Sequence, residues 1–428
     1  MPMDTAASLI DAAFEFTYPL YTMAQTRWNA VQDAANPRRH EPNTLQHERH
    51  LSDHTSRWLT SPNNDTLYSN AWLDLSQGPV RVAVGAMPAG RYWSVAFMDA
   101  YTNHIAMLGQ RLDGTGPTEV TLLGPAHHGL PVAGRCIRAP GEHVWLFARC
   151  LVDGPADLPQ SHAMQAQITV HPPAGVPAWP LQPQPTASTD ARNFLAVVNA
   201  ALARNPPAAA EAALLASWAG IGIRPSLNDG WDALDARVRE AWTQCIAPAH
   251  ARLRAAARLG RREMQGWFAS ALEMGNFGSN YRLRASVALG GLGALEPTEA
   301  MYFLGVQDEA GQLLDGSQRY LLRLPPEGIP TDSFWSFSMY EPTADGQRFF
   351  TANPIDRYSI GNRTPGLRHH ADGSLDIALQ HDAPTDPVLR ANWLPTPVRG
   401  AFQISLRAYL PTAALRAGQA QLPRIVRL

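Results

Sequence analysis

Short apolar runs of strand length, cut by Gly, Pro and Asp, fill residues 67–149 with no helical stretch between them. They lie at 67–75, 80–84, 92–98, 105–110, 120–123 and 143–149, with Gly90 and Asp113-Gly114 among the breaks. This spacing favours a sandwich or jelly roll over a parallel sheet, which needs a long crossover between strands. Strand patterns return at 300–306, 319–324, 334–340, 375–379 and 402–409, and 308–311 reads as a hairpin turn. The two blocks echo each other. The first runs from Tyr68 through Asp74 and Pro88 to Tyr92-Trp93-Ser94. The second runs from Tyr302 through Asp308 and Pro330 to Phe334-Trp335-Ser336. Two related β units are expected.

Between and before these blocks the period changes. Apolar spacing predicts a helix over 5–34, interrupted near Pro19. Residues 35–60 are polar and His-rich and read as a long loop. A helix over 158–169 precedes a Pro-rich linker at 171–185. Helices are then predicted at 191–204, 208–218, 231–259, 261–274 and 281–289, the last ended by Gly290, Gly291 and Gly293. The expected class is α+β, mainly β, with two β-sandwich or jelly-roll-like lobes joined by a helical middle. The expected divisions are an N-terminal helix in 1–40, a first lobe in 41–170, linker and helices in 171–295, and a second lobe in 296–428.

Composition excludes several chemistries. The 35 basic residues are all arginine, so Schiff-base, P-loop and general-base lysines are absent. Any anion site must use Arg, His or backbone N–H groups. A net charge of -2 does not suggest nucleic-acid binding or a basic membrane-surface patch. Cys136, Cys150 and Cys245 form no C-x-x-C. No apolar run approaches the roughly 18 residues of a membrane span. Residues 1–14 carry Asp4 and Asp11 and lack a signal-peptide layout, so a cytoplasmic location is expected. There is no G-x-S-x-G and no H-E-x-x-H, and Gly290-Gly291-Leu292-Gly293 follows a helix where a dinucleotide loop would follow a strand.

The polar residues of interest sit in short phrases. Asn63, Asn64, Asp65 and Thr66 precede a strand. They suit an Asx-type turn, and equally a pocket lip with two amides and a carboxylate able to act as acid or base. Tyr68, Tyr101 and Tyr281 each offer a phenol, or else half-buried core. Trp72, Trp93, Trp335 and Trp393 read as core. Arg357 and Arg363 are natural carboxylate clamps, or partners of a neighbour such as Asp356; Arg91 and Arg111 raise the same question. His47, His50 and His54 would share a face if helical and could then hold a metal, against the plainer reading of scattered polar histidines.

Several longer phrases carry a resemblance. They include Ser61-Pro62-Asn63-Asn64-Asp65-Thr66-Leu67-Tyr68-Ser69, Ala71-Trp72-Leu73-Asp74-Leu75, Asp99-Ala100-Tyr101-Thr102-Asn103 and Leu314-Asp315-Gly316-Ser317. Farther on come Asn353-Pro354-Ile355-Asp356-Arg357-Tyr358-Ser359-Ile360-Gly361 and Asn392-Trp393-Leu394-Pro395. Together they resemble the paired families of unknown function numbered 1254 and 1214, over most of 40–170 and 280–425. The resemblance implies two β lobes around a helical segment and no established activity. Many relatives look exported, from which this chain departs.

The function expected is that of a cofactor-independent hydrolase or lyase acting on a small organic molecule between the lobes. Asp65 would act as acid or base, helped by Tyr68. Asn63, Asn64, Tyr101, Tyr281, Arg357 and Arg363 would contact the substrate. The alternatives are a non-catalytic binding protein for a carbohydrate-like or apolar ligand, and a metal-dependent enzyme using the three histidines. The expected partner is a small molecule, with self-association left open.

Overall fold

In a computed structural model of the chain, residues 3–57, 60–129, 134–174, 182–259, 262–344 and 346–428 are described. Of the Pro-rich linker expected at 171–185, residues 175–181 lie outside them. Among these residues the architecture is α+β, with four open sheets.

The first lobe contains β1 (Gln46–His47), β2 (Thr66–Asp74), β3 (Val80–Val84), β4 (Trp93–Met98), β5 (His104–Gly109), β6 (Thr118–Leu123), β7 (Cys136–Arg138), β8 (His143–Leu151) and β9 (Ile168–His171). The second contains β10 (Arg262–Met264), β11 (Trp267–Ala269), β12 (Ala300–Gly305), β13 (Tyr320–Leu324), β14 (Trp335–Pro342), β15 (Arg348–Phe349), β16 (Ser359–Gly361), β17 (Leu375–Gln380), β18 (Trp393–Pro395), β19 (Gln403–Tyr409) and β20 (Ile425–Arg427).

The sheets repeat a common strand order. The first lobe's large sheet runs β1-β2-β8-β4-β5, and the second's runs β10-β11-β12-β19-β14-β15, with β16 also on β14. β12, β19 and β14 thus occupy the places of β2, β8 and β4. The small sheets run β7-β6-β3-β9 and β18-β17-β13-β20. Even the parallel pair recurs, β6 with β7 and β17 with β18. The echo between the two sequence blocks is a repeat of topology.

Each lobe's core draws on both of its sheets. Val80, Val82, Val120 and Leu122 of the small sheet meet Ala71, Leu73, Val144 and Leu146 of the large one. In the second lobe Leu322, Ile377 and Leu379 meet Phe303, Phe337 and Leu406. Successive strand residues point to opposite faces, so Tyr68, Trp72, Trp145 and Phe147 leave the other side of the first large sheet. There they pack with Ala300, Phe334 and Tyr409 of the second lobe. β2 and β8 are therefore covered on both faces, and all nine residues of β8 are buried.

The helix Met3–Val31 carries Pro19 in its interior without ending there. Phe14, Phe16, Leu20 and Tyr21 bury it against the helices Ala191–Arg204 and Ala236–Leu259, and tertiary packing outweighs the lost backbone bond. Residues 262–269 differ from the helix predicted over 261–274. They form the β10–β11 hairpin, which extends the second lobe's sheet through β12. Gln265 (φ 54°) and Gly266 (φ 85°) supply two consecutive left-handed residues, the requirement of the tight hairpin turn that fits strand twist.

Candidate functional site

The polar phrase before β2 lies where the two lobes meet. Ser61 takes a left-handed φ of 53°, turning the chain into Pro62. Asn63 Oδ1 accepts from the Asp65 N–H at 2.8 Å, an Asx turn that aims Asp65 across to the second lobe. There Ser336 Oγ donates to Asp65 Oδ2 at 2.6 Å. Asn63 Nδ2 donates to the Tyr409 hydroxyl at 3.0 Å. Asn64 Nδ2 donates to Ser52 O, and its Oδ1 accepts from Ser359 at 3.4 Å. This is the Asx-type turn that the phrase suited.

Arg407, on the middle strand β19, organises the cluster. Nη1 donates to Ser338 Oγ and Nη2 to the Tyr340 hydroxyl, both at 2.6 Å. Nη2 also reaches Ser61 O at 3.1 Å and Pro62 O at 3.2 Å. Asp65 is 7% exposed. Burial pushes its carboxyl above the ordinary range, against the pull of Arg407 and the bond from Ser336. Burial likewise raises the phenols of Tyr340 and Tyr409, so both are neutral near pH 7.

The repeat supplies a second half. Arg407 lies between Tyr302 and Ser336 in register. Arg149 lies between Tyr68 and Ser94 in the same way. Asp65 precedes Tyr68 by three positions, and Glu299 precedes Tyr302 by three. Asp65 reaches across to Ser336. Glu299 reaches across to the Tyr92 hydroxyl at 3.0 Å, which lies 3.0 Å from Ser94 Oγ. Arg111 Nε donates to Glu299 Oε2 at 2.9 Å. Glu299 is fully buried, and burial raises its carboxyl too. Each lobe thus sends one buried carboxyl to the other lobe's serine strand.

The halves differ at their arginines. The Arg407 terminal nitrogens are both engaged. Arg149, 4% exposed, gives Nη2 to Gly293 O at 2.6 Å while Nη1 has no partner among the described residues. Its guanidinium lies 4.7 Å from the Phe147 ring and 5.4 Å from the Tyr68 ring.

The other expected residues go elsewhere. Tyr68 joins this face, stacked on Phe147 at 4.7 Å. Tyr101 and Tyr281 gather round Arg284 and Phe16 in the helical layer, and the Tyr101 hydroxyl donates to Asn205 O at 3.0 Å. Arg357 Nη1 donates to the carbonyls of Ala391 and Trp393 at 3.0 and 2.9 Å. Arg363 forms a two-pronged ion pair with Asp153 of the first lobe, and Asp356 bonds instead to Tyr358. Arg91 pairs with Asp157. The three histidines share no face: His47 bonds to Ser69, His54 to Tyr358, and His50 is exposed. Among the described residues no group of His, Cys, Asp and Glu could hold a metal ion.

Sequence reasoning missed Glu299, Arg149, Arg407 and Ser336 as functional candidates. The signal was the echo itself. Aligning Tyr68 with Tyr302 places Glu299 opposite Asp65, and aligning Trp93-Ser94 with Trp335-Ser336 places Ser336 opposite Ser94.

Among the described residues no helix is long and apolar enough to cross a membrane. Of solved structures, the VPA0106 protein from Vibrio parahaemolyticus aligns over 99% of this chain and 100% of its own, at 22% identity and a TM-score of 0.75. That likeness shows the fold alone. An uncharacterized protein from Burkholderia cenocepacia aligns over 100% of this chain and 93% of its own, at 14% identity and a TM-score of 0.48. No curated protein matches the chain. The first lobe matches the family described as protein of unknown function 1254 over residues 42–172, and the second matches that of 1214 over 299–413. The chain belongs to these paired families.

Proposed function

We propose that the chain is a cofactor-independent acid–base enzyme, a hydrolase or lyase, that works on a small organic molecule between its two lobes. One observation carries this reading. A carboxyl raised by burial, Asp65, is held across the lobe interface by Ser336 beside Arg407. Perturbed carboxyls at such junctions are where proton-transfer groups gather. A carboxyl whose hold on its proton is raised by burial is suited to proton transfer, and Arg407 stabilises the carboxylate that donation leaves. Asn63 and Tyr409 fix the turn that aims it. Each lobe is read as a β-sandwich, supported by cores shared between its two sheets. Phe334, Tyr409 and Phe147 pack together between the lobes, so this reading needs the lobes to part for a substrate to enter.

The test is turnover of a panel of p-nitrophenyl esters and 2- and 3-hydroxy acids by wild type and Asp65→Asn. Wild-type turnover that falls roughly 10²–10⁴-fold in the variant is expected for loss of a general acid. No turnover by the wild type, or equal turnover by the variant, overturns the reading. Ligand binding without turnover is the second reading, favoured by the unpartnered Arg149 nitrogen on the same face.

A further inference from the structure

A row of aromatic rings crosses the inter-lobe face of the first large sheet. Trp72 stacks on Trp145 at 5.5 Å and 4°, Trp145 on Phe147 at 4.6 Å, and Phe147 on Tyr68 at 4.7 Å. Arg149 closes the row, its guanidinium over Phe147 and Tyr68. Alternation on β2 and β8 puts these side chains on one face.

Three buried donors along this row lack a partner among the described residues: Trp72 Nε1, Trp145 Nε1 and Arg149 Nη1. Indole N–H and guanidinium groups can only donate, so whatever completes them must bring acceptors. Buried donors are normally satisfied, and three orphans on one face call for a common explanation. The repeat sharpens this. Arg407, the counterpart of Arg149, gives its terminal nitrogens to Ser338, Tyr340 and the Ser61 and Pro62 carbonyls. Arg149 has one carbonyl, Gly293 O.

The cover over the row is glycine-rich. A Cβ added at Gly293 would lie 3.2 Å from Phe147 and 3.4 Å from Trp145, so the backbone rests on the rings. Gly290 and Gly291 precede it, and both are partly exposed. At its other end the row meets a small cleft of about 40 Å³, where Trp72 forms one wall with Leu20, Met23 and Arg27.

We infer that this face binds a planar, aromatic monocarboxylate, its ring against the Trp145–Phe147 stack and its carboxylate on Arg149 Nη1 and the Trp145 indole N–H. The inference rests on the inter-lobe reading above and names the substrate class of that site. A flat apolar body suits the ring row, and one free guanidinium nitrogen suits one carboxylate. Both terminal nitrogens of Arg407 are already placed on oxygens of the chain, which sets Arg149 apart as the anion position.

The test is calorimetric titration of the full chain with benzoate and with benzamide, its neutral analogue. Benzoate is expected to bind at least 10-fold tighter. Arg149→Met should abolish that preference. Trp145→Phe, which keeps a ring and removes the N–H, should weaken benzoate about 5-fold while leaving benzamide nearly unchanged. Benzoate binding no tighter than benzamide, or a preference that survives Arg149→Met, overturns the inference. Should Arg149→Met fail to fold by circular dichroism, the wild-type ratio and Trp145→Phe decide it. Asp65→Asn separates the two readings. If the benzoate preference is absent but Asp65→Asn loses turnover, only the carboxylate inference fails. If the preference holds and Asp65→Asn turns over normally, only the role of Asp65 fails.

Discussion

His104 should make this protein acid-sensitive well above the range where carboxylates titrate. Its side chain is 2% exposed. The ring donates from Nε2 to Ala294 O at 3.1 Å, which leaves Nδ1 buried and without a hydrogen-bond partner among the described residues. Burial, reinforced by the charge of Arg149, lowers its pKa from 6.5 to about 4. Glu296 Oε1, 3.9 Å from Nδ1, is too far to offset this by a hydrogen bond. Because the folded value lies below the unfolded one, the stabilisation is full above pH 6.5 and is lost as pH falls toward 4. Integrating that proton difference gives about 2 kcal/mol lost between pH 8 and pH 5 from this one ring. Raised carboxyls such as Asp65, Asp99 and Glu299 change with the opposite sign on acidification, so wild type alone does not isolate the effect. His104→Gln does, since glutamine stays neutral and can donate to Ala294 O. Urea denaturation of both proteins at pH 8 and pH 5 should show the variant losing about 2 kcal/mol less than wild type. Equal losses in the two proteins would refute the assignment.

Arg407→Met removes the donors that hold the Ser61 and Pro62 carbonyls and the charge beside Asp65. A loss of roughly 3–5 kcal/mol is expected in urea denaturation, with part recovered in Arg407→Met/Asp65→Asn, because most of the cost is the unpaired partner. No recovery in the double variant would mean that the arginine acts by packing alone. Gly361→Ala should destabilise by about 1–3 kcal/mol, the usual range for overpacking. Its Cβ would sit 2.1 Å from the Trp335 carbonyl oxygen, and the backbone of β14 and β16 cannot yield cheaply. A midpoint within a degree of wild type in thermal denaturation would contradict this.

The strands were legible where apolar and polar residues alternate or where a run is long. β2, β3, β4 and β8 fall within two residues of their predicted ends. The three-residue strands β7, β16, β18 and β20 carry too few side chains for any period to register. The β10–β11 hairpin was hidden for another reason. Its residues sit among arginines and alanines of helical preference, and one of its two left-handed positions is Gln265, which announces no turn. Asp65 was legible as a residue of interest because Asn and Asp cluster in one polar phrase ahead of an apolar strand. Arg149 and Arg407 were not, since a charged residue in an apolar strand reads as an outward-facing one. Both point outward from their own lobe's core; only the docking of the second lobe turns that surface into an interior.

That docking also argues for function over adhesion. If the polar face existed only to hold the lobes together, its two repeated halves would be expected to close alike. The second half does close, with the Arg407 terminal nitrogens placed on oxygens. The first leaves Arg149 Nη1 and the Trp72 and Trp145 indoles without acceptors among the described residues. Each such buried donor costs about 1–3 kcal/mol, and replacing both indoles with phenylalanine would relieve two of them while keeping the ring row. An adhesive surface has no use for donors that none of the described residues accepts. A binding face does, because its acceptors arrive with the ligand. The topological repeat therefore does more than describe the architecture: the place where its two copies stop matching marks the position a ligand would complete.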